Sequence, residues 1–434
     1  MSLFGAMNTA ISGLNAQSAA LGNIGDNVAN SQTIGFKRID TSFADYLTTS
    51  TASTNQSGSV VARPDYINNV QGTVVQTDNP LSLAITGQGF FSVRKQVGEA
   101  NGVPAFTQEQ QYTRAGDFKL NKDGYVVNGF GNFLNGWKVD AQGRVDRTAV
   151  APIQISQDVS KPVATREVSL SANLPPNPDP AGAFEGQVQV YDALGGAHVV
   201  DLNWTPPASG SGDPWTLTLT TPATTTGGTP TTLGSTTVSF GQTGETAGTI
   251  SAIGTAGPGT TGQPAVFDFT ADFGNGPQTV GLNLGSFGGT TGLTNFDQGG
   301  KRTYDQRSFA QDGIPPGEFS TLTTRSNGDL VVSYTNGQSR VAARVPVVTF
   351  ASPNALQRQD GQAFTSTQEA GMAQVRDAGS SGTGSLVTGS VEGSNVDIGK
   401  EFTKLIVAQR AYTANTRLVT TADEMLQQTL DMKR

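Results

Sequence analysis

The sequence predicts a multidomain α+β protein: long terminal helices paired as an α-helical coiled-coil domain, with two mainly-β outer domains nested between them. Three observations carry this expectation. All 21 prolines fall between Pro64 and Pro353, and proline breaks helix interiors, so the two ends are where long helices fit. Both ends repeat apolar residues every seven positions, the period of a helix that pairs with another helix. Between them the chain is rich in Thr and Ser, with most of its 54 glycines and short alternating apolar runs, a composition of strands and turns.

At the N-terminus, Met7, Leu14, Leu21 and Val28 are seven apart, and Phe4 and Ile11 extend the stripe. At the C-terminus, Ile398, Leu405, Tyr412, Val419 and Leu426 repeat the same spacing, widened by Phe402, Ala408, Ala422 and Leu430. Asn395 or Asp397 is placed to cap the second helix, and Glu401 falls in its first turn, where a carboxylate suits the helix dipole. A single helix with an exposed apolar stripe is unstable in water, so the stripes are expected to meet each other or copies of themselves.

The β reading rests on four turns. Asn121-Lys122-Asp123-Gly124, Gln142-Gly143, Gly195-Gly196 and Asn336-Gly337 each separate two runs of strand-forming residues. From Thr205 to Gly300 the chain reads as a β domain with long loops, disorder being the alternative. The expected organisation is 1–33 with 395–434 as a helical polymerisation domain, and 34–70 as a flexible connector rich in Ser, Thr and Asn. A β-rich middle domain follows from 71–151 with 310–394, and 152–309 forms an inserted outer β domain.

Charge narrows the function. Between Arg166 and Lys301 there is no Lys or Arg and there are ten acidic residues, so this stretch carries −10 against +2 for the rest of the chain. Nucleic acid binding needs a basic footprint and is not expected. With no cysteine there are no disulfides, thiolate metal sites or Cys nucleophiles. The start lacks a basic region before an apolar core, so no cleaved signal peptide is expected, and no apolar run is long enough for membrane insertion. Gly399-Lys400 lacks phosphate-loop spacing, and Glu401 stands where a magnesium-binding hydroxyl belongs. His198, the one histidine, lies in an expected strand and reads as structural. Asn55-Gln56-Ser57 and Asn203-Trp204-Thr205 fit a glycosylation pattern that is common by chance. No catalytic, cofactor or metal residue is singled out.

The ends carry a resemblance. Ser12-Gly13-Leu14-Asn15-Ala16, followed by the run from Gly25 to Lys37 with Asn27, Asn30, Gly35 and Phe36, resembles the N-terminal signature of the flagellar rod and hook axial proteins. Ser394-Asn395-Val396-Asp397-Ile398, then Ile406 to Asn415 with Gln409 and Arg410, resembles their C-terminal signature. Gly87-Gln88-Gly89-Phe90-Phe91 and Tyr112-Thr113-Arg114-Ala115-Gly116-Asp117-Phe118 look like internal segments of the same family. Val419 to Leu426, Asp312-Gly313 to Gly317 and the long middle resemble its hook members, where a distal rod-type subunit has a shorter middle.

The resemblance implies a structural subunit, not an enzyme. Copies of it would self-assemble through heterologous contacts into a flexible hollow tube, a universal joint passing motor torque to the filament. The helical stripes named above would line the inner tube around an export channel, and the β domains would lie outside. The implied neighbours are the rod at the proximal end, a hook–filament junction protein at the distal end, and transiently the hook cap and the type III export gate. No cofactor is implied. The implied location is extracellular, in the flagellar hook, after export without a cleaved signal peptide. Phe43 and Leu47 resemble a Phe-x-x-x-apolar export signal, with an ordinary i, i+4 packing pair as the alternative. A secreted β-rich adhesin is a further alternative, but it leaves the proline-free heptad ends unexplained.

Overall fold

The structure, a computed structural model, describes residues 3–50, 55–100, 103–140, 142–179, 184–207, 214–222, 230–241, 246–255, 258–380 and 382–432. The chain divides into two compact units. One contains 1–157, 320–333 and 339–434; the other contains 158–319 with 334–338. The boundaries lie slightly beyond the expected 151 and 309, and the terminal helices share a unit with the flanking β segments.

In the first unit, α1 (Leu3–Ala29) and α2 (Ile398–Asp431) run side by side. Gly13 sits against Asn415, and Asn27 is hydrogen-bonded to Glu401, so the helices are antiparallel. α1 stops at Asn30, whose amide side chain donates to the carbonyl of Asp26 at 2.9 Å. α2 starts at Asp397. Its carboxylate accepts the Lys400 N–H at 3.2 Å and its carbonyl accepts that of Glu401 at 3.0 Å. The Lys400 bond is the main reason the Asp397 carboxyl lies below the usual carboxylate range.

The expected connector at 34–70 is corrected by the structure. β1 (Ile39–Ser50) and β2 (Asn55–Tyr66) form a long antiparallel hairpin, in register from Ile39 opposite Tyr66 to Tyr46 opposite Ser59. It is bonded to the helix rather than free. Thr41 accepts from Asn23 at 2.8 Å, and the Val60 N–H donates to Ser12 at 3.1 Å, tying the hairpin to α1.

The rest of this unit is β structure in which strands from both sides of the middle pair. Asn132–Val139 pairs with Ser339–Arg344, Leu83–Thr86 with Ser385–Thr388, and Val74–Gln76 with Ser390–Glu392. The hairpins expected at 117–127, 139–145 and 330–348 are present. Phe90, Tyr112, Phe350 and Phe364 form an edge-to-face cluster with centroids 4.8 to 6.1 Å apart.

The second unit contains two sheets. Five antiparallel strands follow one another as Glu185–Tyr191, Ala197–Thr205, Trp215–Thr221, Thr231–Phe240 and Ile250–Ile253. The other sheet is built on Glu167–Asn173, parallel to Pro277–Ser286 and antiparallel to Asp305–Gln311. Strands of both sheets alternate buried and exposed residues. Val188, Leu202, Trp215 and Leu217 from one meet Leu170, Phe269 and Leu282 from the other in a single core. The stretch 205–300 is thus a β domain across its described residues.

Candidate assembly surface

α1 and α2 do not meet on their largest apolar residues. The buried positions of α1 are Ala10, Gly13, Ala16, Ala20, Ile24 and Asn27, and those of α2 are Glu401, Ala408 and Ala422. Most of these side chains are alanine or glycine, which let two helices approach closely, and Gly13 leaves room for Asn415. The expected stripes flank this seam. Met7, Leu14, Leu21, Val28, Leu405, Val419 and Leu426 are half-buried, whereas Phe4, Ile11, Ile398, Phe402 and Tyr412 are exposed. The side chains of Leu430 and Leu47 lie outside the described residues. Phe43 is exposed on β1.

Beyond the seam, α2 keeps apolar residues uncovered. Ile406, Val407, Leu418 and Met425 are exposed by 50%, 62%, 60% and 50%. Gln409, Arg410, Thr413 and Arg417 share a shallow groove with Ile406 and Leu418. At 100° per residue, Arg410 and Arg417 lie about opposite the α1-facing Glu401.

At the base of the helix pair, three distant parts of the chain converge on one buried ion cluster. Glu392, fully buried, accepts from Lys37 at 2.5 Å, from Arg114 at 2.8 Å and from the Gly72 N–H at 2.8 Å. Lys37 also donates to the Val70 carbonyl, and Arg114 to the carbonyls of Ile85 and Gly87. Arg114 further stacks on Phe90, at 5.3 Å from the ring centroid. Burial pulls the Lys37 ammonium down to about 8; Glu392 pushes it back up and Arg114 adds to the lowering.

The other signature residues surround this cluster. Gly35, at φ 71°, packs its α-carbon against the Ala115 backbone, where any side chain collides. Phe36 is buried under the Arg358 guanidinium at 4.3 Å. Asn395 accepts from the Arg38 N–H at 2.7 Å and donates to the carbonyls of Ile67 and Val70. Asn27 exchanges two hydrogen bonds with the backbone of Ile39 and donates to Glu401 at 3.0 Å. Lys404 bridges Glu401 at 2.8 Å and Asp40 at 2.6 Å. Sequence reasoning missed Glu392 and Lys404 altogether, since no local pattern marks either.

Among the described residues no group of three or more His, Asp or Glu has the arrangement of a metal site, and no described helix is long and apolar enough to cross a membrane. His198 bonds to Asp192 at 2.8 Å and stacks on Phe273 at 4.2 Å. Asp192 also accepts the N–H groups of Leu194 and Gly196 and the Asn275 amide, so it closes a turn and leaves no free base.

Four family profiles match the chain. They are described as flagella basal body rod protein (residues 7–37), flagellar hook protein FlgE/F/G D1 domain (84–172), flagellar basal body protein FlaE D2 domain (160–314) and flagellar basal body rod FlgEFG protein C-terminal (387–432). The chain is 29% identical to the flagellar hook protein FlgE of Rhizobium meliloti over 445 residues, covering all of both chains. It is 29% identical to that of Salmonella typhimurium, covering 98% of this chain and 99% of the other. It is 24% identical to that of Caulobacter vibrioides across the whole of both. Among solved structures, the Helicobacter pylori flagellar hook protein FlgE2 aligns with a TM-score of 0.45 at 13% identity, covering 72% of this chain and 98% of that one.

Proposed function

The chain belongs to the flagellar hook protein family, and from that premise we propose that it is the structural subunit of a flagellar hook, acting by self-assembly and not by catalysis. The observation that carries the reading is the uncovered face of α2. A helix already packed on one side still presents Ile406, Val407, Leu418 and Met425 to solvent, and exposed apolar surface of this kind marks a place where another surface docks.

Within the hook we propose that α1 and α2 form the inner layer as a coiled-coil pair around an export channel, and that the β units form the outer layers. The tube would act as a universal joint, contacting the rod at one end and the junction protein at the other, with the hook cap and the type III export gate as transient partners. Its place is outside the cell, after export without a cleaved signal. A distal rod-type role is not favoured, because the relatives that align from end to end are hook proteins.

Leu418→Asp tests the reading. The residue is exposed in the single chain, so the variant should unfold like the wild type yet fail to pellet as polymer when both are salted out. A variant that polymerises normally would count against burial of this face.

A further inference from the structure

Beside the seam, the same unit holds a groove between α1, β1 and α2. Its floor is small and apolar, formed by Ala20, Ile24, Ala408 and Ala411, and its rim carries Asp40 and Asp65. These two aspartates face each other directly across the β1–β2 register, a placement that like charges destabilise. Asp40 is compensated by Lys404 at 2.6 Å and by Arg38 at 3.4 Å. Asp65 is exposed and has no ion pair among the described residues, and the nearby Arg63 is turned to the Tyr46 hydroxyl at 2.7 Å. The groove therefore pairs an apolar floor with an uncompensated negative rim.

A complementary surface exists on the chain itself. Arg410 and Arg417, seven residues apart on α2, are exposed, lie beside Ile406, Ala414 and Leu418, and have no ion pair among the described residues. We propose that the Arg410–Arg417 face of α2 in one copy seats in the α1–β1–α2 groove of the next, bringing an arginine to Asp65 and Leu418 over the alanine floor. The proposal rests on the self-assembly reading and specifies its contact. Groove and arginine face are different faces of one molecule, so the contact is heterologous and propagates instead of closing into a dimer.

Charge reversal tests it on the purified full chain, reading the critical concentration for pelletable polymer at the lowest salt that supports assembly, since screening weakens such pairs. Asp65→Lys alone, and Arg410→Glu with Arg417→Glu, should each raise that concentration about tenfold or more, because they set like charges across a contact. The three substitutions combined should return it to within about threefold of wild type. All sites are exposed, and matching unfolding curves would exclude a folding defect. Single reversals that assemble like the wild type would overturn the proposal and leave the groove to another partner. A combined variant no better than the single reversals would overturn it too. Failure of the wild type to assemble at all would instead count against the proposed function.

Discussion

At the scale of single residues, the unit that carries the helices is anchored by buried charge. Two cations and one carboxylate, all at most 3% exposed, share hydrogen bonds at Lys37, Arg114 and Glu392. Removing water from three charges is costly, and the arrangement persists because both cations share the carboxylate and also donate to backbone carbonyls; deleting the shared anion strands both cations. Glu392→Ala should therefore destabilise this unit by about 3–5 kcal/mol, measured by urea unfolding, and a loss below about 1 kcal/mol would contradict the role given to the cluster. The depressed Lys37 sets a pH dependence. Its folded value is about 8 against 10.5 for the free side chain, so between those values the unfolded chain holds more protons and stability rises with pH. The contribution is fully present above 10.5 and lost as pH falls through 8. Lys37→Met should flatten that rise in unfolding measurements at several pH values; an unchanged slope would refute it. Gly35-Phe36-Lys37 and the Arg114 segment were legible as motifs, but Glu392 was not. Its partners are 355 and 278 residues away, and only folding brings them together.

At the scale of elements, the period of the terminal helices was legible and its phase only in part. A reading by hydrophobicity selects Leu, Met, Val and Tyr, and those residues flank the contact or remain exposed, whereas Ala408 and Ala422, on the expected stripe of α2, are buried. On α1 the seam uses Gly13 and Ala20 instead, because close helix packing rewards small side chains over apolar bulk. Gly13→Leu, whose side chain would meet Asn415 of α2, should accordingly wedge the helices apart, at about 1–3 kcal/mol by overpacking, and should show as faster amide exchange along α1. Unchanged protection would mean the seam is loose. Leu405→Asp places a carboxylate beside that seam. It should abolish polymer formation while leaving the β core of the second unit intact by near-ultraviolet circular dichroism, and normal polymer from it would place Leu405 outside any assembled contact. The β1–β2 hairpin escaped the sequence reading because Ser, Thr and Asn suit linkers as well as strands. The β1–β2 register pairs the strands, and Ser12, Asn23 and Asn27 on α1 tie the pair to the helix. The turns at Gly195-Gly196 and Asn336-Gly337 were legible because turn chemistry is local.

For the whole molecule, sequence and fold agree on where the functions divide. The proline-free ends supply the helices and their uncovered faces. The acidic stretch 167–300, without Lys or Arg, lies in the second unit, where alternating strands bury a core of their own. The chain aligns from end to end with flagellar hook proteins, and the proposed account adds a reason for assembly: α2 is half covered within one copy. The measurement that tests this most directly is electron microscopy of the purified chain before and after salting-out. The account predicts monomers that convert into curved tubes of uniform diameter with an axial channel. Monomers that persist, with protected amides along α1 and α2, would contradict it.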